Sequence, residues 1–246
     1  MDFALRSLAQ DFGHGHVLAA HRHRWGQLIF AAGGTMRVRA GDIVWLVPPS
    51  RALWAPAGVT HAIEMRSATA MRTVYVPPGR DIGLPAATIA IEVGPLLREL
   101  ILHIVSRGML REDLAEEARL ADVFVDQLRS AEQLQLQLPV PQDRRVRPLA
   151  ERLLADPSDE RTPEVLARAC GASARTIQRI FQGETGMRFV EWRQRLRLLH
   201  AVSQLNLGAS VTRAGAEAGY ASTSAFIAAF RQQMGETPAR YLRRRP

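Results

Sequence analysis

Lysine is absent from the sequence, and cysteine occurs once, at Cys170. Without lysine the chain cannot form a Schiff base with a carbonyl substrate, and a single cysteine excludes an internal disulfide. No apolar run approaches the roughly 20 residues that a membrane-spanning helix needs. The first residues, MDFALRSLAQDFGHGH, lack the apolar segment of a secretory signal. We therefore expect a soluble, cytoplasmic protein that makes no membrane contact.

The positive charge of the chain is unevenly distributed. The 246 residues carry a formal net charge of +8, with 17 arginines against 15 acidic residues through Arg147 and 15 against 9 after it. The length suits two domains of about 100 to 150 residues each. Excess positive charge in the C-terminal part favours binding to a polyanion such as nucleic acid, without indicating any sequence preference.

The apolar pattern changes twice along the chain. Short apolar segments separated by turn residues, such as QLIFAAGG, IVWLVPP and MRTVYVPPG, run from about residue 16 to 77 and predict an all-β sandwich or small barrel. Between Val93 and Gln135 the apolar spacing fits two helices. Prolines and a charge run then mark a linker at 136–147. Beyond Pro148 no segment reads convincingly as a strand.

The C-terminal hundred residues contain a degenerate internal repeat. With an offset of 49, five positions keep their chemical character: Ser173, Ile177, Phe181, Gly186 and Trp192 match Ser222, Phe226, Phe230, Gly235 and Tyr241. Repeated spacing of this kind indicates one supersecondary unit that is used twice.

Each repeat predicts a helix, a tight turn and a second helix. In the first, Thr162 caps a helix with Pro163 at its first position, Gly171 allows the turn, and Ser173 caps the next helix. In this motif the second helix enters the DNA major groove. The exposed positions of the two second helices are Ala174, Arg175, Gln178 and Arg179 in the first unit and Thr223, Ser224 and Ala228 in the second. The alternative for each is a merely solvated helix face.

The segment LARACGASARTIQRIFQGETGMRFVEWRQRLRLLHA, followed by GYASTSAFIAAFRQQMGETPARYL, resembles the DNA-binding domain of the AraC/XylS family over residues 148–243. The resemblance implies seven helices, with two recognition helices in major-groove segments about one DNA turn apart. It also implies that the seven exposed residues face bases or phosphates. Ala228 stands where relatives often carry a long polar residue, so we expect sequence preference to depend mainly on the first unit.

The segment HRHRWGQLIFAAGG, followed by PAGVTH, resembles the two motifs of the cupin barrel. The resemblance implies metal ligands at His21, His23 and His61, with a carboxylate at the position of Gln27. Because Gln27 is uncharged, two readings stay open. Three imidazoles can bind a divalent metal, or the histidines line a cavity for a small molecule.

The resemblance to AraC-type sensors also implies an effector pocket and a dimer contact. The expected pocket residues are His21, His23, Gln27, Trp45, Trp54 and His61, although most such tryptophans belong to a core. The expected dimer residues are Leu97, Leu100, Ile104 and Leu120, which can equally pack against the barrel.

These observations predict an α+β chain of two domains. We expect a cupin-like effector-binding barrel at 1–90, a helical dimerisation or packing element at 91–135, a linker at 136–147, and an all-α DNA-binding domain with two helix-turn-helix units at 148–246. The predicted function is a homodimeric, sequence-specific transcription activator or repressor controlled by a small-molecule or metal effector, with RNA polymerase as a further partner and no enzymatic activity. The alternative is a metal-dependent cupin enzyme with an accessory DNA-binding domain.

Overall fold

The computed structural model describes residues 3–134 and 137–243. The first residue of the expected linker, 136, lies outside the described residues, as do the last three residues of the expected DNA-binding domain. Backbone contacts divide the chain into two compact units, one formed by residues up to 41 together with 45–137 and the other by residues 42–44 together with those from 138 onward.

The first unit contains two β-sheets and two helices. Its strands are β1 (Phe3–Phe12), β2 (Val17–His21), β3 (Gly26–Gly33), β4 (Met36–Ala40), β5 (Ile43–Val47), β6 (Arg51–Ala55), β7 (His61–Met65), β8 (Thr69–Val76), β9 (Ile89–Glu92), β10 (Met109–Arg111) and β11 (Gln133–Leu134). Its helices are α1 (Pro95–Arg107) and α2 (Ala115–Ser130). One sheet has the strand order β10-β1-β8-β3-β6-β9-β11, and the other contains β5-β4-β7-β2. The predicted β-barrel with flanking helices is confirmed.

Strand β3 separates two apolar layers because successive residues of a strand point to opposite faces. Leu28 and Phe30 face helices α1 and α2 and share one core with Trp54, Leu97 and Phe124. Burying such a side chain contributes about 1.5 to 3 kcal/mol relative to its exposed state. The alternate residues of the same strand, beginning with Gln27, face the other way. Gln27 reaches the second sheet, where it contacts His61.

The four leucine and isoleucine residues expected at a dimer contact pack within their own chain. Leu97 and Ile104 are buried in the core beneath the helices, at 3% and 0% exposure, and Leu100 and Leu120 pack against that core half-buried. The alternative expectation, packing against the barrel, accounts for all four side chains. They therefore lend no support to a dimer contact.

The first strand begins earlier than the apolar pattern suggested. Strand β1 covers Phe3–Phe12 and pairs with β8 from Arg6 to Phe12, whereas the strand pattern was expected from about residue 16. Only Ala4 and Leu5 of this strand are fully buried. Its remaining residues lack the strong apolar alternation that identifies a strand in a sequence.

The second unit is helical, apart from the two-residue strand β12 (Leu138–Pro139), which pairs with residues 43 and 44. Its described helices are α3 (Arg147–Ala155), α4 (Pro163–Ala169), α5 (Ala174–Thr185), α6 (Phe189–Asn206), α7 (Val211–Glu217), α8 (Thr223–Met234) and α9 (Pro238–Arg243). The described part of this unit thus contains the seven helices that the family resemblance implied. None of the helices in the described ranges is both long and apolar enough to cross a bilayer.

Candidate functional site

The two helix-turn-helix units share one pattern of helix caps. The side chain of Ser173 accepts a hydrogen bond from Thr176 N at 3.1 Å at the start of α5, and Ser222 accepts one from Ala225 N at 3.1 Å at the start of α8. An N-cap side chain satisfies a backbone N–H that has no partner inside the helix. Gly186 and Gly235 end these helices with φ of 71° and 74°. The left-handed conformation there favours glycine.

Apolar side chains fix both second helices to the rest of the unit. Ile177 and Phe181 of α5 are buried, at 1% and 0% exposure, and Phe226 and Phe230 of α8 are both at 0%. Phe181 packs edge-on against Trp192 at 5.2 Å between ring centroids, and Phe230 packs similarly against Tyr241 at 5.6 Å. The repeat in the sequence therefore corresponds to a repeat in the core. In each unit, the face opposite this core is left to contact a partner.

The exposed face of α5 carries two arginines. Arg175 and Arg179 are exposed, and Ala174 is half-buried at the first position of the helix. Neither arginine side chain has a hydrogen bond or ion pair among the residues that the structure describes. The face of α5 thus offers two guanidinium groups, which suit bidentate contact with guanine or phosphate.

Gln178 differs from these arginines because its side chain has an intramolecular partner. It is half-buried, and its Oε1 accepts a hydrogen bond from Phe189 N at 3.3 Å, at the first residue of α6. An amide oxygen in this position satisfies one of the N–H groups at a helix start. Within the structure, Gln178 therefore links α5 to α6. Its contact with a base stays a prediction.

The equivalent face of α8 is small and uncharged. Ser224 and Ala228 are exposed and Thr223 is half-buried, and they occupy the positions of Arg175, Arg179 and Ala174 in the repeat. Ile227, also half-buried, stands at the position of Gln178. The structure therefore gives the two units equivalent frameworks and unequal surfaces.

Three histidines meet at one end of the barrel. His21 on β2 pairs with His61 on β7, and their ring centroids lie 4.5 Å apart. His23 lies between β2 and β3, 5.2 Å from His61 and 6.0 Å from His21 between centroids. One potential ligand nitrogen of each ring lies within 4.8 Å of the other two. The set runs from exposed His21, through half-buried His23, to buried His61.

Backbone carbonyl groups fix the protonated nitrogen of each ring. The Nδ1 atoms of His21, His23 and His61 lie 2.8, 2.5 and 3.0 Å from the carbonyl oxygens of Ala19, Trp25 and Val59. Because a carbonyl oxygen only accepts, each Nδ1 carries the proton in these bonds. A neutral ring of this tautomer keeps a lone pair on Nε2. Such Nδ1–H bonds to carbonyl oxygens are typical of histidines that bind metals.

Gln27 presents an acceptor to the same histidines. Its Oε1 lies 2.8 Å from His23 Nε2 and 3.0 Å from His61 Nε2. Its Nε2 donates to Thr73 Oγ1 at 2.9 Å and to Tyr75 OH at 3.2 Å. Thr73 gives its own hydroxyl proton to Leu28 O at 2.8 Å, so Thr73 must accept from Gln27. This chain of bonds fixes the amide with its oxygen toward the histidines.

The oxygen of Gln27 and the Nε2 lone pairs of His23 and His61, all hydrogen-bond acceptors, therefore face one another. Burial lowers the pKa of His61, and the neighbouring His21 and His23 rings act in the same direction, while the Val59 carbonyl opposes them. Neutral His61 turns an Nε2 lone pair toward the oxygen of Gln27. A proton or a cation between these atoms removes the conflict. The sequence pointed to the histidines and to Gln27, but not to Thr73 or Tyr75, which lie 46 and 48 residues away in the chain.

The two tryptophans expected in the effector pocket are both buried, and Trp54 faces away from the histidines. Trp54 pairs with Leu28, whereas Gln27 pairs with Ala55, so Trp54 lies on the helix-covered face of the sheet, away from Gln27. Trp45 is buried at 2% exposure. The structure thus brings the three histidines and Gln27 together and places Trp54 in the core beneath the helices.

Family models match both units of the chain. The model of the AraC-like ligand-binding domain matches residues 8–142, and that of a helix-turn-helix domain matches residues 166–244. The chain belongs to the AraC family of transcriptional regulators. This AraC-family regulator is 33% identical over 224 residues to the HTH-type transcriptional regulator NimR of Escherichia coli K12, across 91% of this chain and 82% of NimR.

Two further proteins match the chain at lower sequence identity. The regulator is 27% identical to RipA of Corynebacterium glutamicum, across 87% of this chain and 61% of RipA. A crystal structure of ToxT from Vibrio cholerae aligns with 98% of each chain at 11% identity and a TM-score of 0.41. NimR and RipA are both HTH-type transcriptional regulators, as the sequence resemblance implied.

Proposed function

We propose that this AraC-family regulator binds double-stranded operator DNA mainly through α5, with Arg175 and Arg179 in contact with bases or phosphates and Gln178 beside them. The observation that carries the proposal is the pair of Ser-capped helices with equivalent cores, of which only α5 carries arginines on the exposed face of its first two turns. The exposed arginine of α8, Arg231, lies in the last turn of that helix. Thr223, Ser224 and Ala228 of α8 supply short-range contacts, and Ala174 lies at the entry of α5. Phosphate contacts position such helices and base contacts give them specificity.

Footprinting on the DNA upstream of the regulator's own gene tests this proposal. We expect protection of two segments about one DNA turn apart, with strong base preference in one of them and weak preference in the other. Salt-sensitive binding that protects no preferred site would contradict the sequence-specific role, because counterion release alone produces such binding. A shuffled duplex of the same composition is the control.

We also propose that the barrel senses an effector at the histidine end, and that a divalent cation binds there to His21, His23, His61 and the Oε1 of Gln27. The support is the convergence of lone pairs, which in the absence of a cation oppose each other. A divalent cation bound there would be coordinated by the lone pairs of all four ligand atoms. An oxygen or nitrogen atom of the effector can then complete the coordination of the cation. The barrel residues hold and orient that ligand. We assign them no turnover.

Substitution of Gln27 distinguishes a cation site from a cavity lined by histidines. Gln27→Glu places an anion toward the histidines, so we expect about tenfold tighter Zn²⁺ or Mn²⁺ binding. His61→Ala should abolish it, and His103→Ala, at an exposed histidine of α1, should leave it unchanged. Calorimetric titration of untagged protein with each metal salt measures this. Equal metal affinity for Gln27→Glu, His61→Ala and the parent chain would contradict the cation site.

The remaining assignments concern the assembly in the cell. We propose that the regulator acts as a homodimer in the cytoplasm, where its target DNA is located. Effector binding shifts the fraction of molecules that can bind the operator. When the regulator activates transcription, it also contacts RNA polymerase. A ligand can shift such a population only by binding one state more tightly than the other. Sedimentation with and without effector and DNA tests the dimer.

A further inference from the structure

A groove of about 480 Å³ lies within the DNA-binding unit, between its two helix-turn-helix motifs. One wall is the start of the first motif, at Arg161 and Thr162, and another is the residue that precedes the cap of α8, Ala221. Its floor is one face of α6, from which Arg193, Gln194 and Arg197 reach the groove. Arg197 lies four residues after Arg193 and three after Gln194, so both neighbours are on the same side of the helix as Arg197.

The positive charge of two of these arginines is not neutralised by a hydrogen-bonded carboxylate. Arg193 donates to the carbonyl oxygens of Arg161, at 2.7 Å, and of Asp159, and Arg197 donates to those of Pro157 and Asp159, at 3.3 and 3.0 Å. These acceptors are neutral backbone groups. The carboxylate of Asp159 is instead bonded to Arg161, at 3.0 Å from Arg161 Nε.

The positive charges of Arg193 and Arg197 also repel each other. Burial lowers the pKa of Arg193, and the charge of Arg197 lowers it further, while Asp159 and Glu160 act in the opposite direction. An anion in the groove relieves this repulsion. Gln194 adds a neutral donor, since it is exposed and its amide makes no hydrogen bond among the described residues. Glu160 also lines the groove, so Arg161, Arg193 and Arg197 lie near the two carboxylates of Asp159 and Glu160, and one of the three positive charges has no carboxylate to balance it. The groove therefore suits a singly charged anion with several acceptor oxygens.

The position of the groove points to the source of that anion. The second helix of each motif enters the major groove by its N-terminal residues, and the first helix crosses the DNA backbone. The groove joins the start of the first helix of one motif, at Thr162, to the residue before the recognition helix of the other, at Ala221. On DNA, a phosphate backbone separates two successive major-groove segments.

We infer that the groove formed by Arg161, Arg193, Gln194 and Arg197 holds a phosphodiester of the DNA backbone between the two recognition helices. The inference rests on the proposed DNA binding and adds a contact that is independent of base sequence. Because it orients the backbone and reads no base, this contact favours every duplex equally.

A charge series at Gln194 tests the groove without removing the arginines that bind backbone carbonyl groups. We expect Gln194→Glu to weaken binding about threefold to tenfold on the upstream duplex and on a random duplex alike, and to flatten the salt dependence by about one ion. Gln194→Arg should strengthen binding to both duplexes and steepen that dependence. Fluorescence anisotropy with labelled duplexes between about 50 and 200 mM salt measures both quantities.

Ala155→Glu is the matched control, because it makes the same change in net charge at an exposed position at the end of α3, outside the groove. We expect this control to change binding less than about twofold, and thermal unfolding of all variants to remain close to that of the parent. Equal effects of Gln194→Glu and Ala155→Glu would overturn the inference, as would a loss confined to the upstream duplex. Since the random duplex reports on the groove by itself, absence of operator preference would contradict only the proposed function.

Discussion

The two helix-turn-helix units are built alike and present different surfaces. Ser173 and Ser222 cap their second helices at the same 3.1 Å, and Gly186 and Gly235 end them in the same left-handed conformation. Yet the first helix exposes Arg175 and Arg179, where the second exposes Ser224 and Ala228. The fold therefore constrains the caps and the core of a recognition helix and leaves its outer face free to vary.

This difference separates two kinds of side chain that the repeat in the sequence places side by side. Residues that hold a helix in place must serve the same packing in both units. Residues that face DNA are selected by the base pairs opposite them. Substitutions at equivalent positions should therefore have equal effects on stability when the residue is buried, and unequal effects on DNA binding when it is exposed.

The largest expected effect tests the equality of the cores. Phe181→Ala and Phe230→Ala each remove a fully buried ring, so each should lower the free energy of unfolding of the helical unit by about 3 to 5 kcal/mol. Urea unfolding followed by helical circular dichroism measures this. Val165→Ala, at an exposed valine of α4, is the control and should cost less than about 1 kcal/mol. A loss confined to one phenylalanine would show that the cores are not equivalent.

The next effect tests the inequality of the surfaces. Arg175→Ala should weaken operator binding by about 1 to 3 kcal/mol and relax the base preference opposite α5. Ser224→Ala, at the equivalent position of α8, should cost less than about 1 kcal/mol, because a hydroxyl makes a weaker contact than a guanidinium group. Gel-shift titration on operator and random duplexes measures both. If Arg175→Ala weakens binding to random DNA as much as binding to the operator, that side chain contacts phosphate and reads no base.

Removal of the helix caps should again affect both units alike. Ser173→Ala and Ser222→Ala each leave a first-turn N–H without its acceptor, at a cost of about 0.5 to 2 kcal/mol in the free energy of unfolding. Serine-to-glycine substitution at either position should cost only a few tenths of a kcal/mol. A clearly larger loss for Ser173→Ala would point to its additional bond with Thr176 Oγ1, at 2.9 Å.

The smallest effect concerns two helical glycines in different surroundings. A Cβ at Gly183 of α5 meets no atom within 4 Å, so Gly183→Ala should raise the free energy of unfolding by about 0.5 to 1 kcal/mol. A Cβ at Gly215 of α7 would lie 3.0 Å from Phe226. The gain in helix propensity there is offset by crowding, and we expect a smaller gain or a slight loss. Thermal unfolding of both variants checks the order.

Periodicity and turn residues predicted most of this fold. The double helix-turn-helix depends on local signals, since Thr162, Ser173 and Ser222 cap helices within three residues of their own positions. The barrel was predicted from alternating apolar segments, but its first strand was missed because its outer residues do not alternate. Local patterns thus predict elements well wherever the burial of one face is regular.

The chemistry of the sites depends on contacts that are distant in sequence. The amide orientation of Gln27 follows from Thr73, and the position of Gln178 follows from Phe189. No sequence pattern singled out the arginines of α6. Their partners are carbonyl groups more than 30 residues away, which no periodicity indicates.

Helix α6 has 18 residues and joins the two reading units directly. At the usual rise its length is about 27 Å, and ten of its side chains are buried. It therefore holds the two units at a fixed distance and orientation. The regulator should therefore tolerate base changes between its two contact segments better than changes in their spacing. Insertion of about five base pairs rotates one segment by half a helical turn. The second contact segment would then lie on the opposite side of the duplex from the second unit. A genomic search for operators should therefore hold the spacing between the two segments constant and allow any base pairs between them.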